Sequence, residues 1–215
     1  MDKKDSKGIY SAVINKAIDY IFENIDNDID VEDVAKHCGY SKYHLTRMFK
    51  EDTEEAIYEF IKRVRLERSA WRLKVEKERS VTEIGGDIGY SSSNYATAFK
   101  KQMNISPANF RKNSEELVKQ SAFSHGMSLD DIEVNCKNIT IENFEPFCVI
   151  YERKKGNYHK IGDEWCAFQK KYKHLFKEDS LYIECTVDDP SITDEDECLY
   201  ELCQTIEPNC QELKD

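Results

Sequence analysis

Lys42, Tyr43, His44, Thr46, Arg47 and Lys50 fall within nine residues, interleaved with Leu45, Met48 and Phe49 at helical spacing. On a helix the apolar three share one side, which leaves cations, hydroxyls and ring donors on the other, where they can reach phosphate oxygens and base edges. Fifty residues later Ser92, Ser93, Asn94, Thr97, Lys100 and Lys101 surround Tyr95, Ala98 and Phe99 in the same way. That second face is also free of acid, but shorter and less basic. Other chemistries find little support. There is no Ser/His/Asp set, no carboxylate pair in an identifiable cleft and no phosphate loop, and His159 and His174 sit in no recognisable catalytic pattern, so an enzyme is not expected. Eight scattered cysteines include no Cys-x-x-Cys, and Cys198, Cys203 and Cys210 are too far apart for a zinc knuckle. Reduced thiols, no metal and no cofactor are the expectation.

The elements that must position these two faces form an internal repeat. Val31 to Lys50 aligns without a gap on Val81 to Lys100, pairing Val31/Val81, Asp33/Glu83, Val34/Ile84, Gly39/Gly89, Tyr40/Tyr90, Ser41/Ser91, Phe49/Phe99 and Lys50/Lys100. Each copy predicts a short helix opened by Asp30, or by a Ser80/Glu83 capping box, then a left-handed glycine at 39 or 89. A serine at 41 or 91 then caps a second amphipathic helix. Helix, glycine turn and helix make a helix-turn-helix. A long helix over Ala56 to Val75 joins the copies; its Arg63, Arg65, Arg68 and Arg72 either touch phosphates or pair with Glu59, Glu67 and Glu76. Ile9 to Phe22 predicts a helix covering the first copy, and Ser106-Pro107 opens a last one. The first half is therefore expected to be all-α, with two helix-turn-helix units joined by a long helix.

At HCGYSKYHLTRMFK, RVRLERSAWRL and IGYSSSNYATAFKKQMNISPANFRK the sequence resembles the DNA-binding domain of the AraC/XylS family of bacterial regulators, over roughly Ile9 to Lys112. The resemblance implies two recognition helices in successive major-groove segments of one duplex. It implies that Tyr43, Thr46 and Arg47, then Ser93, Asn94 and Thr97, read bases, within a DNA-facing set of Ser41, Lys42, Tyr43, His44, Thr46, Arg47, Lys50, Ser92, Ser93, Asn94, Thr97, Lys100 and Lys101. Double-stranded DNA is the implied partner, with RNA polymerase as a further one. The sequence departs from the family at Gly85, where an alanine is usual, and near Thr97, where an arginine is usual. Glycines at 85 and 86 predict a weakened second unit, at about 1 kcal/mol each relative to alanine.

Past a polar stretch the period changes. Ile132 to Ile141, Phe147 to Arg153, Leu181 to Val187 and Leu199 to Ile206 read as strands and Tyr158 to Phe176 as a helix, a small α+β domain. The expected division is 8–113 for the DNA-binding domain, 114–130 for a linker and 131–215 for the second domain. The passage VIYERKKGNYHKIGDEWCAFQKKY, with VDDPSIT and CLYELCQTI, is similar to the first half of a GyrI-like effector-binding domain. That resemblance implies a bulky, often cationic effector and a partner module. With 215 residues there is room for one module, which implies either that two chains pair as a homodimer or that the domain is truncated. Tyr151, Tyr158, Trp165, Tyr182 and Glu184 are the candidate ligand residues, against the simpler reading of the aromatics as core and the acid as a solvated strand face.

The net charge of −11 belongs to the second half: residues 1–115 carry 20 Lys and Arg against 20 Asp and Glu, residues 116–215 carry 11 against 22. Nucleic-acid binding must then come from local clustering of cations. No apolar run of membrane-spanning length or signal-peptide type is present, which predicts an unexported cytoplasmic protein without membrane contact. Two further functions compete with the regulator: an interaction protein that sequesters related regulators, and a small-molecule hydrolase.

Overall fold

The computed structural model describes residues 3–124 and 145–207, and the chain divides into two compact units, Met1–Asp131 and Ile132–Asp215. The first is all-helical: α1 (Lys3–Asn24), α2 (Val31–Cys38), α3 (Lys42–Thr53), α4 (Ile57–Val75), α5 (Val81–Asp87), α6 (Ser92–Met103) and α7 (Pro107–Ser124). The last helix thus extends into the segment that begins at residue 114. No helix among the described residues is long and apolar enough to cross a membrane.

The repeat is built from matching local signals. Asp30 Oδ1 accepts from the Glu32 and Asp33 amides at 2.7 and 3.1 Å while Asp33 Oδ2 accepts from the Asp30 amide at 2.9 Å. Ser80 and Glu83 make the same reciprocal box at 3.1 and 2.8 Å. Such caps satisfy amides that the first turn of a helix leaves unpaired. Gly39 and Gly89 lie at φ +78° and +81°, where a side chain would be strained. After each, the Tyr40 or Tyr90 amide reaches back to the Ala35 or Gly85 carbonyl at 3.0 or 3.1 Å. The fifty-residue offset also continues beyond the second helices. Glu54 and Asn104 both close them in left-handed geometry, at φ 63° and 58°, and Phe60 on α4 and Phe110 on α7 hold equivalent places. Each unit is therefore three helices long, with α4 and α7 as corresponding third helices.

The core of the first unit follows the predicted stripes. Ile14, Ala17, Ile18 and Ile21 of α1, Val34 and Ala35 of α2, Leu45, Met48 and Phe49 of α3, and Ile57, Phe60, Ile61, Val64, Ala70 and Leu73 of α4 are buried. In the second copy Ile84, Tyr95 and Phe99 take those places. Gly85 explains its own departure from the expected alanine. A Cβ there would lie 2.6 Å from both Cγ and Cδ1 of Tyr95, whose ring is almost fully buried and whose hydroxyl donates to Ser69 Oγ on α4 at 3.0 Å. The missing methyl is the space the tyrosine fills. The predicted weakness at this position is accordingly a fitted contact, whereas Gly86 faces open space.

The second unit has a three-stranded antiparallel sheet of order β1-β3-β2, with β1 (Cys148–Lys155), β2 (Tyr182–Thr186) and β3 (Leu199–Ile206). A 3₁₀ turn at Tyr158–Lys160 leads into α8 (Ile161–Tyr172), and a second follows at Lys173–Leu175. The strand expected over Ile132 to Ile141 lies outside the described residues. Register pairs Tyr151 with Cys203, Glu152 with Leu202, Glu184 with Leu202 and Cys185 with Glu201. Tyr200 and Leu202 pack with Phe168, Trp165 and Tyr172 of α8, which places the even-numbered residues of β3 under the helix and the odd ones on the opposite face. Glu152 fastens that helix to β1: Tyr172 donates to its carboxylate at 2.8 Å, and Lys171 and Lys154 pair with it at 2.5 and 2.9 Å. Burial alone would raise this carboxyl, but these donors outweigh it and bring it to about 2.

Substituting the two glycines should give opposite results in urea unfolding. Gly85→Ala is expected to lower stability by about 1–3 kcal/mol, because the buried Tyr95 ring must move, while Gly86→Ala is expected to raise it by about 0.5–1 kcal/mol through helix propensity.

Candidate nucleic-acid interface

Burial of one side of α3 decides what its other side presents. Leu45 and Phe49 are fully enclosed, and Lys42, Tyr43, Arg47 and Lys50 are exposed, with Tyr43 82% accessible. Ser41 caps the helix, accepting from the His44 amide at 3.3 Å. Thr46 is half-buried at the edge of this face. Arg47 lies 3.9 Å from Glu51, a loose and largely solvated pair that a stronger anion can displace. His44 differs from the expectation of a fully outward donor: it is half-buried beside the Tyr40 ring at 5.4 Å, with its Nε2 enclosed and lacking a hydrogen-bond partner.

On α6 the inner side is Tyr95 and Phe99, and Ser92, Ser93, Asn94, Thr97, Lys100 and Lys101 are all exposed. Thr97 Oγ1 donates to the Ser93 carbonyl at 3.0 Å, a back-bond available to a helical threonine. Ser91 makes no side-chain cap bond, unlike Ser41. Both predicted sets thus lie on exposed faces of second helices, with His44 and Thr46 partly withdrawn. The face of α6 remains the shorter and less basic of the two.

The arginines of α4, read as either phosphate contacts or ion-pair partners, are engaged within the fold. Arg63 binds Glu55 and Glu67, each at 3.0 Å. Arg65 donates to the Asn27 and Ile29 carbonyls at 3.0 and 2.9 Å, anchoring the loop before α2. Arg72 reaches Glu76 at 2.9 Å and Asp87 at 2.5 Å, and Arg79 joins the same two acids at 3.2 and 2.7 Å. This four-charge network ties the end of α4 to the end of α5 and so holds the second helix-turn-helix on the connecting helix. Sequence reasoning missed Asp87 and Arg79 because their partners are brought close by the α4–α5 turn.

A pair of such helix-turn-helix repeats, each offering a solvated donor face, defines a double helix-turn-helix DNA-binding domain. Residues 34–113 match the family described as a helix-turn-helix domain. An HTH-type transcriptional regulator from the cgkA 5' region of Pseudoalteromonas carrageenovora is 37% identical over 116 residues, 52% of this chain and 68% of that protein. Regulatory protein SoxS of Salmonella typhimurium is 33% identical over 103 residues, 47% of this chain and 95% of its own. A solved AraC-type transcriptional regulator from Chromobacterium violaceum aligns with a TM-score of 0.46 at 23% identity, over 48% of this chain and 92% of that one. The chain belongs to the helix-turn-helix family of DNA-binding transcription regulators.

The carboxyls that hold the helix ends give the domain a defined pH response. The Asp33 amide bond lowers Asp30, Ser80 lowers Glu83, Arg79 lowers Asp87 and Arg72 lowers Glu76. Each is lower in the fold than in the unfolded chain, so its stabilisation is complete above the unfolded value of about 4 and is lost as pH falls through the folded one. The thermal midpoint followed by circular dichroism should fall as pH is lowered from about 5 to about 3, and should fall less steeply in Asp87→Asn.

Proposed function

We propose that α3 is the principal reading helix of this regulator and α6 a weaker auxiliary, with Tyr43, Thr46 and Arg47 supplying most of the sequence discrimination. The supporting observation is Arg47: an exposed guanidinium on a face whose neighbours are cations and hydroxyls, paired among the described residues with a distant carboxylate. Ser93, Asn94 and Thr97 offer shorter donors, and Thr97 already spends its proton on its own helix. Lys42, Lys50, Lys100 and Lys101 neutralise phosphates without reading sequence. On this reading 8–113 is the working DNA-binding domain, and RNA polymerase is a partner on the bound promoter.

The second domain, taken as 131–215, is proposed as an effector module of GyrI-like type, pairing with a second copy. The specific observation is an aromatic and acidic cluster at the β2 edge. Trp165 stands 5.7 Å from Tyr182 and donates through Nε1 to Glu184, and Phe176 lies 6.0 Å from Tyr182. Gln204, opposite Tyr182 in register, has both amide atoms buried without a partner among the described residues. Rings beside a carboxylate suit an amphipathic cation. Two of the predicted ligand residues do not join them. Tyr158 donates to the Asp188 and Leu199 carbonyls at 2.7 and 3.0 Å and packs on Tyr200 as core, and Tyr151 is on the opposite face of the sheet.

The test is selection of bound sequences from random duplex DNA by the full chain, followed by salt-dependent affinity measurements on the selected site. Arg47→Ala should weaken binding by about 5–150-fold, corresponding to about 1–3 kcal/mol, and relax discrimination at one base position. Thr97→Ala should weaken it less. Lys50→Ala should lower affinity for all sequences and reduce the salt slope by about one. Unchanged binding in Arg47→Ala with loss in Thr97→Ala would reverse the assigned order of the two helices.

A further inference from the structure

The face of the sheet opposite α8 carries a cluster that no role above accounts for. Cys185 on β2 is in register with Glu201 on β3, and Cys203 follows two residues along β3 on the same face. One ligand atom from each, the two sulfurs and a carboxylate oxygen, lie within 4.8 Å of one another. On the far side Arg153 of β1, in register with Glu201, donates through both Nε and Nη2 to Glu201 Oε1. Neither of those bonds involves Oε2. This Arg–Glu pair is largely enclosed, at 8% and 18% side-chain exposure, whereas Cys185 is exposed and Cys203 buried. The cluster therefore has a fixed inner wall and one thiol open to solvent.

We infer that Cys185, Cys203 and Glu201 form a binding site for one thiophilic divalent cation of the zinc and cadmium type, with Arg153 holding the carboxylate ligand from behind. The dimensions support it. Two thiolates bound tetrahedrally at about 2.3 Å lie about 3.8 Å apart, and a carboxylate oxygen at about 2.0 Å lies slightly closer to each sulfur. Contraction from the present spacing is at most about 1 Å between the sulfurs and about 1.3 Å between sulfur and oxygen, within reach of side-chain rotation. Charge supports it as well. Two thiolates, one carboxylate and a divalent ion sum to one negative charge, which the Arg153 guanidinium neutralises while orienting Glu201 as an outer-shell donor does. Three protein ligands leave a fourth position for water or an external ligand.

A disulfide is the competing fate of two neighbouring thiols, and the register disfavours it. Cys185 and Cys203 are diagonal rather than directly opposed, a relation that separates α-carbons by about 7–8 Å. A disulfide usually requires about 4.4–6.8 Å. A metal ion bridges the longer span without moving either strand. Bound there, it would fasten the edge strand β2, which carries Tyr182 and Glu184, to the central strand.

Titration of the reduced full-length chain with Cd²⁺, followed by its thiolate-to-metal charge-transfer absorption and by displacement with Zn²⁺, tests the site. One equivalent per chain is expected. Cys185→Ser, at an exposed position, should remove the signal at one equivalent, as should Cys203→Ser. Glu201→Gln should weaken binding by at least the 10–100-fold typical of a lost outer-shell partner. Cys148→Ser and Cys166→Ser should leave the titration unchanged, and all variants should retain wild-type affinity for the selected DNA site. Full uptake by Cys185→Ser, loss of uptake in Cys148→Ser or Cys166→Ser, or a Cys185–Cys203 disulfide in air with no metal uptake after reduction would each overturn the assignment.

Discussion

Edge-to-face packing of Phe49 on Phe60, at 5.2 Å and 70°, and of Phe99 on Phe110, at 5.5 Å and 77°, is the contact around which both halves of the DNA-binding domain are organised. A helix can display a row of polar donors only if its other side is anchored. Burying a phenylalanine is worth roughly 1.5–3 kcal/mol, and the ring pair adds about 0.5–1.5 kcal/mol with a preferred geometry. That geometry fixes the rotation of α3 and α6 about their own axes, and hence which residues face outward. Lys42, Tyr43, Arg47 and Lys50 are exposed because Leu45, Met48 and Phe49 are not. The third helix is thus part of the repeated module, since without α4 or α7 the anchoring ring has no partner.

The same constraint explains how much of this domain could be read from sequence. Caps, glycine turns and apolar stripes are local, so the first two helices of each copy were legible at Asp30, Gly39, Ser80 and Gly89. The third-helix correspondence was hidden because its identities are few. Phe60/Phe110 survives, but Ala56/Ser106 and Ile57/Pro107 open their helices by different chemistry. Gly85 was legible only as a poor helix residue. Its compensation lies ten residues away in Tyr95 and sixteen residues the other way in Ser69, contacts that no helical or strand period links. In the second unit the three described strands and the helix were apparent from their periods. Which aromatics share a face was not, because Tyr151 and Tyr182 are separated by a helix and two 3₁₀ turns before register sorts them.

Charge distribution follows from the same geometry. The first half is neutral overall, yet the exposed faces of α3 and α6 carry cations, because several of its acids pair with arginines elsewhere. Glu55 and Glu67 hold Arg63, Glu76 and Asp87 hold Arg72 and Arg79, and Asp26 lies 3.5 Å from Arg68. These pairs lie along α4 and at its junctions with neighbouring helices. Lys50, Lys100 and Lys101 are not among them and point to solvent. A total of zero is therefore compatible with a locally positive surface, and the relevant quantity is the unpaired charge on each helix face rather than the sum over the chain.

The second unit shows why side-chain clusters assembled across a sheet escape sequence motifs. In a helix, chemistry-bearing residues three or four apart meet, and a linear pattern reveals them. In an antiparallel sheet they meet through register, so Cys185 and Glu201 are neighbours although sixteen residues and a loop intervene. Alternation then divides each strand between two environments. Glu184 is directed toward Trp165 under α8, while the adjacent Cys185 is directed to the face shared with Glu201 and Cys203. Both residues are on the same five-residue strand, so alternation alone places one beside the helix and the next on the sulfur-bearing face.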